Sequence, residues 1–157
     1  MTIDLTAATA LLQAVPFAGT VGITIAEIST EDGVRAVCHL PDRTANHNHV
    51  AGPHAGAQFT LGETASGVVV MVAFGPYLGR AVPLTVRADI VYRTFATGDL
   101  RATATLARPV AEVVAELEAG QRPEFAVQVE LTRADGERCA EMTVVWTLRP
   151  NRSPRLD

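Results

Sequence analysis

The sequence contains no lysine, since all 13 of its basic residues are arginine. This absence excludes chemistry that proceeds through a lysine Schiff base. Charged residues make up only 19% of the chain, and the formal net charge of −4 gives no reason to expect a nucleic-acid partner. No stretch approaches the roughly 20 apolar residues that span a bilayer, and the amino end lacks the pattern of a signal peptide. We therefore expect a cytoplasmic protein that acts without nucleic acid and without a membrane.

Cysteine is also scarce, with Cys38 and Cys139 the two present. They fall in different predicted strands, and their spacing matches no metal-binding pattern. We expect both to be reduced thiols in the core, as is usual for a cytosolic protein.

Charge is scarcest between Arg43 and Arg80, where Glu63 is the single charged residue. The pattern predicts a helix over residues 54–74, and the run over residues 68–74 has no polar face. A helix that is apolar all round is normally buried, and a buried carboxylate is costly unless it is paired, hydrogen-bonded or protonated. The alternative is that Glu63 lies on a narrow solvent stripe or pairs with a distant arginine.

The predicted neighbours of Glu63 on the helix are small or polar rather than charged. At helical spacing, its face also carries Gly56, Thr60, Ser66 and Gly67. A solvent-facing stripe would more usually carry Lys, Arg and Glu partners, whereas this face leaves room beside the carboxylate. We therefore predict a functional site here, with Thr60, Ser66 and Gly67 binding substrate.

The rest of the chain predicts an antiparallel sheet, since short turns join each pair of strands. Helices are predicted over residues 4–15, 54–74 and 109–120, and strands over residues 21–29, 34–40, 84–95, 100–107, 125–132 and 138–148. A sheet curled around the long helix explains why that helix lacks a polar face. In an ordinary two-layer α+β sandwich, the helix would need a polar outer face. We expect one α+β domain over residues 1–157, with an N-terminal helix within residues 1–16 and a loose tail over residues 151–157.

One stretch resembles the signature of a known family. The run NHVAGPHAGAQFTLGE over residues 48–63 resembles the Asn…His-Gly-Gly…Asp/Glu signature of PaaI-like acyl-CoA thioesterases, which have the hotdog fold. The segment over residues 109–137 also looks like the domain-of-unknown-function branch of that superfamily. The resemblance implies a hotdog fold, with about six antiparallel strands wrapped around the long helix, and acyl thioester hydrolysis.

The resemblance assigns roles residue by residue. Glu63 matches the acidic residue that acts as general base or nucleophile toward the thioester. Ala55 stands where the family usually has Gly, and its N–H would polarise the thioester carbonyl, with Gly56 following it. Asn48 matches the Asn that positions water or the thioester, and His54 matches the family's His. Because nine helical residues turn about 900°, His54 either lines the site from the lead-in or serves as a cap.

The resemblance also implies the partners. Coenzyme A would enter as part of the substrate, no other cofactor is expected, and the protein would be a homodimer or tetramer with active sites shared between protomers. Surface arginines would hold the coenzyme A phosphates. The candidates are Arg80, Arg87, Arg93, Arg108 and Arg122.

A metal site is the first alternative reading of this region, because His47, His49 and His54 crowd together and His39 lies on the preceding strand. No spacing matches a standard zinc pattern, so we expect no metal and interpret these histidines as local hydrogen-bonding groups.

Two alternative functions remain open. The first is a hotdog protein that binds acyl or aromatic ligands without hydrolysing them, which Ala55 in place of Gly would favour. The second is a hotdog hydratase or dehydratase, in which His54 and Glu63 would form a proton-transfer pair across protomers.

Overall fold

The computed structural model describes residues 9, 10, 12 and 14–151. The helices are α1 (Pro16–Val21), α2 (Ala55–Phe74) and α3 (Val110–Glu118), and the strands are β1 (Thr24–Ser29), β2 (Arg35–Leu40), β3 (Ala81–Tyr92), β4 (Leu100–Leu106), β5 (Glu124–Arg133) and β6 (Arg138–Pro150). The six strands form one antiparallel sheet in the order β1-β2-β4-β5-β6-β3. The sheet packs around α2, and the predicted hotdog architecture is confirmed.

The central helix α2 is buried because its apolar side chains recur at helical spacing. Leu61, Ala65 and Val69 lie one turn apart and are fully buried, and the helix packs most extensively against β2, β4 and β5. Gly62 lets it approach β6 closely, since a Cβ at this position would lie 2.6 Å from the Sδ atom of Met142. These contacts fix the depth of the helix in the sheet.

The position of α2 also explains why it carries so little charge. By length and composition alone, the segment Ala55–Tyr77 could cross a membrane. Most of its apolar length is instead buried inside the protein, and Phe74 at its end packs on Phe125 of β5 with ring centroids 4.8 Å apart. The apolar composition is that of a core helix.

Strand β3 forms one edge of the sheet, and among the described strands it pairs with β6 alone. A β-bulge between Thr85 and Arg87 inserts an extra residue opposite β6, which reverses the faces on its two sides. Thr85 therefore points toward α2 before the bulge, whereas Ala88 packs on the core after it. The sequence predicts a single face for the even-numbered residues from 84 to 92. That prediction is wrong before the bulge.

The segment before β1 also differs from the prediction. The sequence predicts that Pro16 ends a helix and that a strand starts at residue 21, but Pro16 begins α1 and the strand starts at Thr24. Proline breaks a helix interior yet is favoured at the first helical position. Most of the predicted helix over residues 4–15 lies outside the described residues, although residues 9, 10 and 12 are helical. The predicted tail also lies outside them, except Asn151.

Strand β3 begins and ends three residues earlier than predicted, and the remaining elements follow the predicted bounds to within two residues. The short helix α3 buries Val113, Val114 and Leu117, which are the residues of its predicted apolar side. Cys38 and Cys139 are free and fully buried, as expected for core thiols. Burial raises the pKa of the Cys38 thiol to about 12, which keeps it protonated.

Candidate functional site

Glu63 lies near the middle of α2 and lines an apolar cavity. The residue is half-buried, and the cavity beside it has a volume of about 130 Å³. Gly67 and Met71 line it from later turns of α2, Pro83 from β3 and Trp146 from β6. The carboxylate therefore borders an apolar space that is partly open, with Leu12 and Val15 also in its lining.

The surroundings of Glu63 favour its protonated form. Burial raises the pKa of the Glu63 carboxyl above its usual range, and a hydrogen bond from the Thr85 hydroxyl, 3.5 Å from Oε1, lowers it in part. No arginine or histidine among the described residues forms an ion pair with Glu63, so the predicted alternative of a distant arginine partner is not observed there. A desolvated carboxylate of this kind is suited to accept a proton from water.

The first turn of α2 presents a free backbone donor. His54 is the N-cap, and its Nδ1 accepts a hydrogen bond of 2.9 Å from the Gly56 N–H, which assigns the ring proton to Nε2. Glycine suits this position because a Cβ at Gly56 would lie 3.2 Å from Nδ1. The Ala55 N–H has no acceptor within the described part of the chain, and it lies at the positive end of the helix dipole. An oxyanion could bind there.

Asn48 shapes the loop that leads into α2. Its side-chain oxygen accepts hydrogen bonds from the N–H groups of Val50 and Gly52, at 3.0 and 3.2 Å. Inside this turn, Ala51 adopts a left-handed conformation with φ of 60°. The Asn48 oxygen is therefore used by its own loop, and the amide Nδ2 is the part of the side chain that remains available to a ligand.

Of the three residues predicted to bind substrate, Gly67 alone lines the cavity. The Thr60 hydroxyl donates a hydrogen bond of 2.8 Å to the carbonyl oxygen one turn earlier. Ser66 is fully buried: its hydroxyl donates to the Glu63 carbonyl oxygen at 2.7 Å and accepts from Trp146 Nε1 at 3.0 Å. The Ser66 hydroxyl therefore orients the indole ring that forms part of the cavity wall, and its role in substrate binding stays a prediction.

Strand β3 contacts α2 at both ends of the site. Thr85 reaches Glu63, and Tyr92 Oη donates a hydrogen bond of 3.0 Å to the carbonyl oxygen of Ala55. Ala55 and Glu63 lie eight residues apart, which is about 12 Å along the axis of an ideal helix. The free N–H and the carboxylate of one chain are therefore separated by more than the width of a thioester group.

Sequence reasoning missed three residues of this site, namely Thr85, Tyr92 and Trp146. Thr85 and Tyr92 take part through the bulge and the pairing of β3, which local patterns do not reveal. Trp146 carried one signal, which is that it is the single tryptophan of the chain. Tryptophan contributes a large rigid surface and one N–H donor, and both are used here.

Two of the other three histidines pair with carboxylates. His39 Nε2 lies 3.0 Å from Asp99, and His47 is hydrogen-bonded to Asp42. Within the described ranges, no group of three or more His, Cys, Asp or Glu side chains is arranged to hold a metal. These histidines therefore stabilise the loop between β2 and α2.

Most of the arginines proposed to contact coenzyme A already have carboxylate partners. The ion pairs are Arg80 with Glu118, Arg87 with Asp89, Arg93 with Glu141, and Arg108 with Glu112 and Glu116. Arg122 instead donates to the Thr147 hydroxyl. Exposed pairs of this kind are weak and exchangeable, so they do not prevent phosphate binding.

The sequence matches the family described as "Domain of unknown function (DUF4442)" over residues 6–148. The chain belongs to the DUF4442 family. No curated protein matches the sequence.

Solved structures share the fold of this DUF4442 protein along nearly its full length. A Pseudomonas aeruginosa protein of unknown function, described as a probable thioesterase, is 25% identical with a TM-score of 0.82, covering 96% of this chain and 99% of the other. A thioesterase family protein from Silicibacter pomeroyi is 20% identical with a TM-score of 0.69, covering 94% and 100%. A mutant thioesterase from Pseudomonas aeruginosa is 16% identical with a TM-score of 0.72, covering 96% and 97%. The fold is that of the thioesterase superfamily.

Proposed function

We propose that this DUF4442 protein hydrolyses an acyl-CoA or a related acyl thioester. One observation carries the proposal: Glu63 is a half-buried carboxylate, without an ion-pair partner among the described residues, that lines an apolar cavity. Such a carboxylate can take a proton from water while an apolar acyl group occupies the cavity. The likeness to proteins described as thioesterases supports the choice of reaction class.

The reaction needs a base and an oxyanion site. As a base, Glu63 takes a proton from water while the water oxygen bonds to the thioester carbon, and the carbonyl oxygen becomes negative. The Ala55 N–H holds that oxyanion. The C–S bond then breaks, the proton on Glu63 passes to the departing thiolate, and acid and thiol leave. Direct attack by the Glu63 carboxylate would give an anhydride that water then hydrolyses, with the same two products.

The two groups must come from different chains to act on one thioester. In one protomer they lie about 12 Å apart along α2. We therefore propose a homodimer in which the Glu63 carboxylate of one protomer works with the Ala55 N–H of its partner. A two-fold axis would create two such sites from one pair of surfaces.

The edge strand β3 supports this assembly. Its outer edge pairs with no other strand in the described part of the chain, and it carries exposed apolar side chains that include Val82, Val86 and Val91. Unpaired edges with apolar side chains are normally covered in native proteins. The same strand contacts Glu63 through Thr85 and Ala55 through Tyr92. A partner docked along β3 would therefore lie next to both halves of the proposed site.

The first experiment measures thiol release from short, long and aromatic acyl-CoAs by the wild type and by Glu63→Gln. We expect turnover of one acyl class by the wild type and a loss of about 100-fold or more in the variant, as for removal of a general base. The matched control is Glu31→Gln, an exposed glutamate in the turn before β2, which should keep full activity. Turnover retained by a folded Glu63→Gln variant would refute the role of Glu63.

Ligand binding without hydrolysis is the second candidate function. Several polar groups near the site already have partners within the chain: the Asn48 oxygen in its loop, the Thr60 hydroxyl and the His54 Nδ1. Groups that already have partners are less available for catalysis. If no thioester is turned over, they favour ligand binding over hydrolysis. A bound acyl ligand that survives purification would then identify the function. The occupied Nδ1 also leaves His54 without a free basic nitrogen in this tautomer, which disfavours the dehydratase alternative.

A further inference from the structure

We propose that the cavity beside Glu63 selects a compact, unsubstituted apolar group of about six carbons, and that Gly67 and Trp146 set this limit. That the group is the acyl part of a substrate rests on the proposed function. The size and chemistry of the group rest on the cavity alone, so they can be tested without turnover.

The volume of the cavity limits the size of its occupant. It measures about 130 Å³, and an apolar protein cavity of about 150 Å³ is known to stay dry and to bind benzene. A group of about six carbons therefore fills it. A chain of twelve or sixteen carbons would have to leave its remaining carbons in solvent or force the walls apart.

The lining of the cavity limits the chemistry of its occupant. Glu63 and Thr64 are the polar residues of the lining, and they adjoin each other in the helix. Met71 lies eight residues further along α2, about 12 Å from Glu63 along an ideal helix axis, and Pro83 of β3 also lines the cavity. A hydroxyl or carboxylate beyond the polar pair would be buried without a hydrogen-bond partner, which is strongly unfavourable.

Trp146 is a rigid wall of the cavity. Its side chain is buried, and its indole N–H donates to the Ser66 hydroxyl at 3.0 Å. Ser66 in turn donates to the backbone carbonyl of Glu63 at 2.7 Å. The helix that carries the carboxylate therefore also fixes the orientation of the ring, and the distance between them cannot change freely.

Gly67 keeps the space in front of this wall open. It lies one turn after Glu63 on α2, so both residues face the same cavity. A Cβ at Gly67 would lie 3.8 Å from Cζ2 and Cη2 of the Trp146 ring, at ordinary van der Waals distance. One methyl group would therefore fit, whereas a larger side chain would occupy space that a ligand needs.

The experiment has two readouts on the full-length protein. The first is kcat/KM for acyl-CoAs from butanoyl to palmitoyl, and the second is the rise in melting temperature with non-hydrolysable S-alkyl-CoA thioethers of the same chain lengths. We expect both to be largest near six carbons. Heptanoyl-CoA and 6-hydroxyhexanoyl-CoA have chains of equal length, and we expect the hydroxylated one to be disfavoured by about 100-fold.

Two variants move the limit in opposite directions. Gly67→Val should shift the preferred chain to shorter lengths, and Trp146→Phe should shift it to longer ones. In each case we expect a change of about tenfold or more in the preference between butanoyl and octanoyl chains, as for methylene discrimination in apolar pockets. The matched control is Gly79→Val, since Gly79 is exposed, has open space around it and lies outside the cavity lining.

The outcomes separate this inference from the proposed function. Thioether binding that peaks near six carbons, with no turnover of any thioester, would support the cavity while refuting hydrolysis. Turnover whose chain-length profile is the same in the wild type and both variants would support hydrolysis while overturning the inference. A preference for palmitoyl chains, or absence of both binding and turnover, would also overturn it. If Gly67→Val fails to fold, the opposite shift in Trp146→Phe remains decisive.

Discussion

The Thr85 hydroxyl lies 3.5 Å from Oε1 of Glu63, and it reaches this position because the β-bulge turns Thr85 toward α2. Within the described part of the chain, this is the one hydrogen bond to the carboxylate. Burial raises the pKa of the Glu63 carboxyl, and the Thr85 hydrogen bond lowers it in part. The protonation of Glu63 is therefore governed first by its desolvation and then by Thr85.

Glu63 should destabilise the folded protein at neutral pH. A carboxyl whose pKa is raised by folding binds its proton more strongly in the folded protein than in the unfolded chain. The free energy of unfolding therefore falls as the pH rises from about the ordinary value of 4.5 through the raised pKa, and it stays low above that. Glu63→Gln is neutral at every pH and should melt higher than the wild type at pH 7, by about 2–4 °C for each kcal/mol gained.

Thermal melts between pH 4 and pH 8 test this prediction. The difference between Glu63→Gln and the wild type should be small at the acidic end and grow with pH. Glu31→Gln should show no such growth, since Glu31 is exposed. A Glu63→Gln variant that melts below the wild type at every pH would show that the carboxylate is a structural group.

The acid limb of the pH–rate profile should depend on Thr85. If Glu63 acts as a base, kcat/KM rises with pH as its carboxyl loses its proton. Thr85→Val removes a contact that lowers the pKa of Glu63, so the acid limb should move to higher pH. The plateau should change by no more than a few-fold, since the hydrogen bond is long. Thr105→Val, on an exposed position of β4, is the control, and an unmoved limb in Thr85→Val would contradict the prediction.

Tyr92 should act as a positioning residue for the start of α2. Its hydroxyl donates to the carbonyl oxygen of Ala55 at 3.0 Å, next to the proposed oxyanion donor. Tyr92→Phe should lower the free energy of unfolding by about 0.5–1.5 kcal/mol. It should also lower kcat by about tenfold with little change in KM, because a displaced donor weakens transition-state binding.

Tyr77→Phe is the matched control for this effect. Tyr77 lies in the short 3₁₀ turn after α2, and its hydroxyl makes no hydrogen bond to the described residues. It should change neither kcat nor stability beyond experimental error. Equal proportional losses of kcat in both variants would show that the Tyr92 hydroxyl has no specific role.

The sequence predicted the framework of this protein because the framework follows local rules. The absence of charge around Glu63 predicted a buried helix, and α2 runs from Ala55 to Phe74 as expected. The turns predicted the antiparallel pairs in the same way. These features depend on residues close together in the chain, where periodicity and turn chemistry are informative.

The details of the site depend on residues far apart in the chain. Trp146 meets Ser66 across 80 positions, and Tyr92 meets Ala55 across 37. A single bulged residue in β3 then decides which side chains reach α2. No local pattern encodes such contacts, so the cavity wall and the positioning hydroxyls became visible only in the folded chain.

Removing the Ala55 N–H should abolish activity without unfolding the protein. Ala55→Pro deletes this one donor, and proline is favoured at the first position of a helix. The preceding His54 has φ of −59° and ψ of 144°, which is the extended conformation that a following proline requires. We expect kcat to fall by about 10²–10³-fold, as for loss of an oxyanion donor, with the melting temperature retained. Ala55→Ser keeps the N–H and should remain active.

Mixing two inactive variants tests whether the site is shared between protomers. Glu63→Gln supplies an intact Ala55, and Ala55→Pro supplies an intact Glu63. If one protomer provides the carboxylate and its partner the N–H, each mixed dimer regains one complete site. When equal amounts of the two variants are refolded together, random pairing makes about half of the dimers mixed. Each mixed dimer has one complete site of two, so activity should return to about a quarter of the wild-type value. Each variant refolded alone should stay inactive. Distinguishable tags on the two variants show whether mixed dimers have formed. If mixed dimers are present but inactive, each site takes both its carboxylate and its N–H from one protomer, which would contradict the shared arrangement.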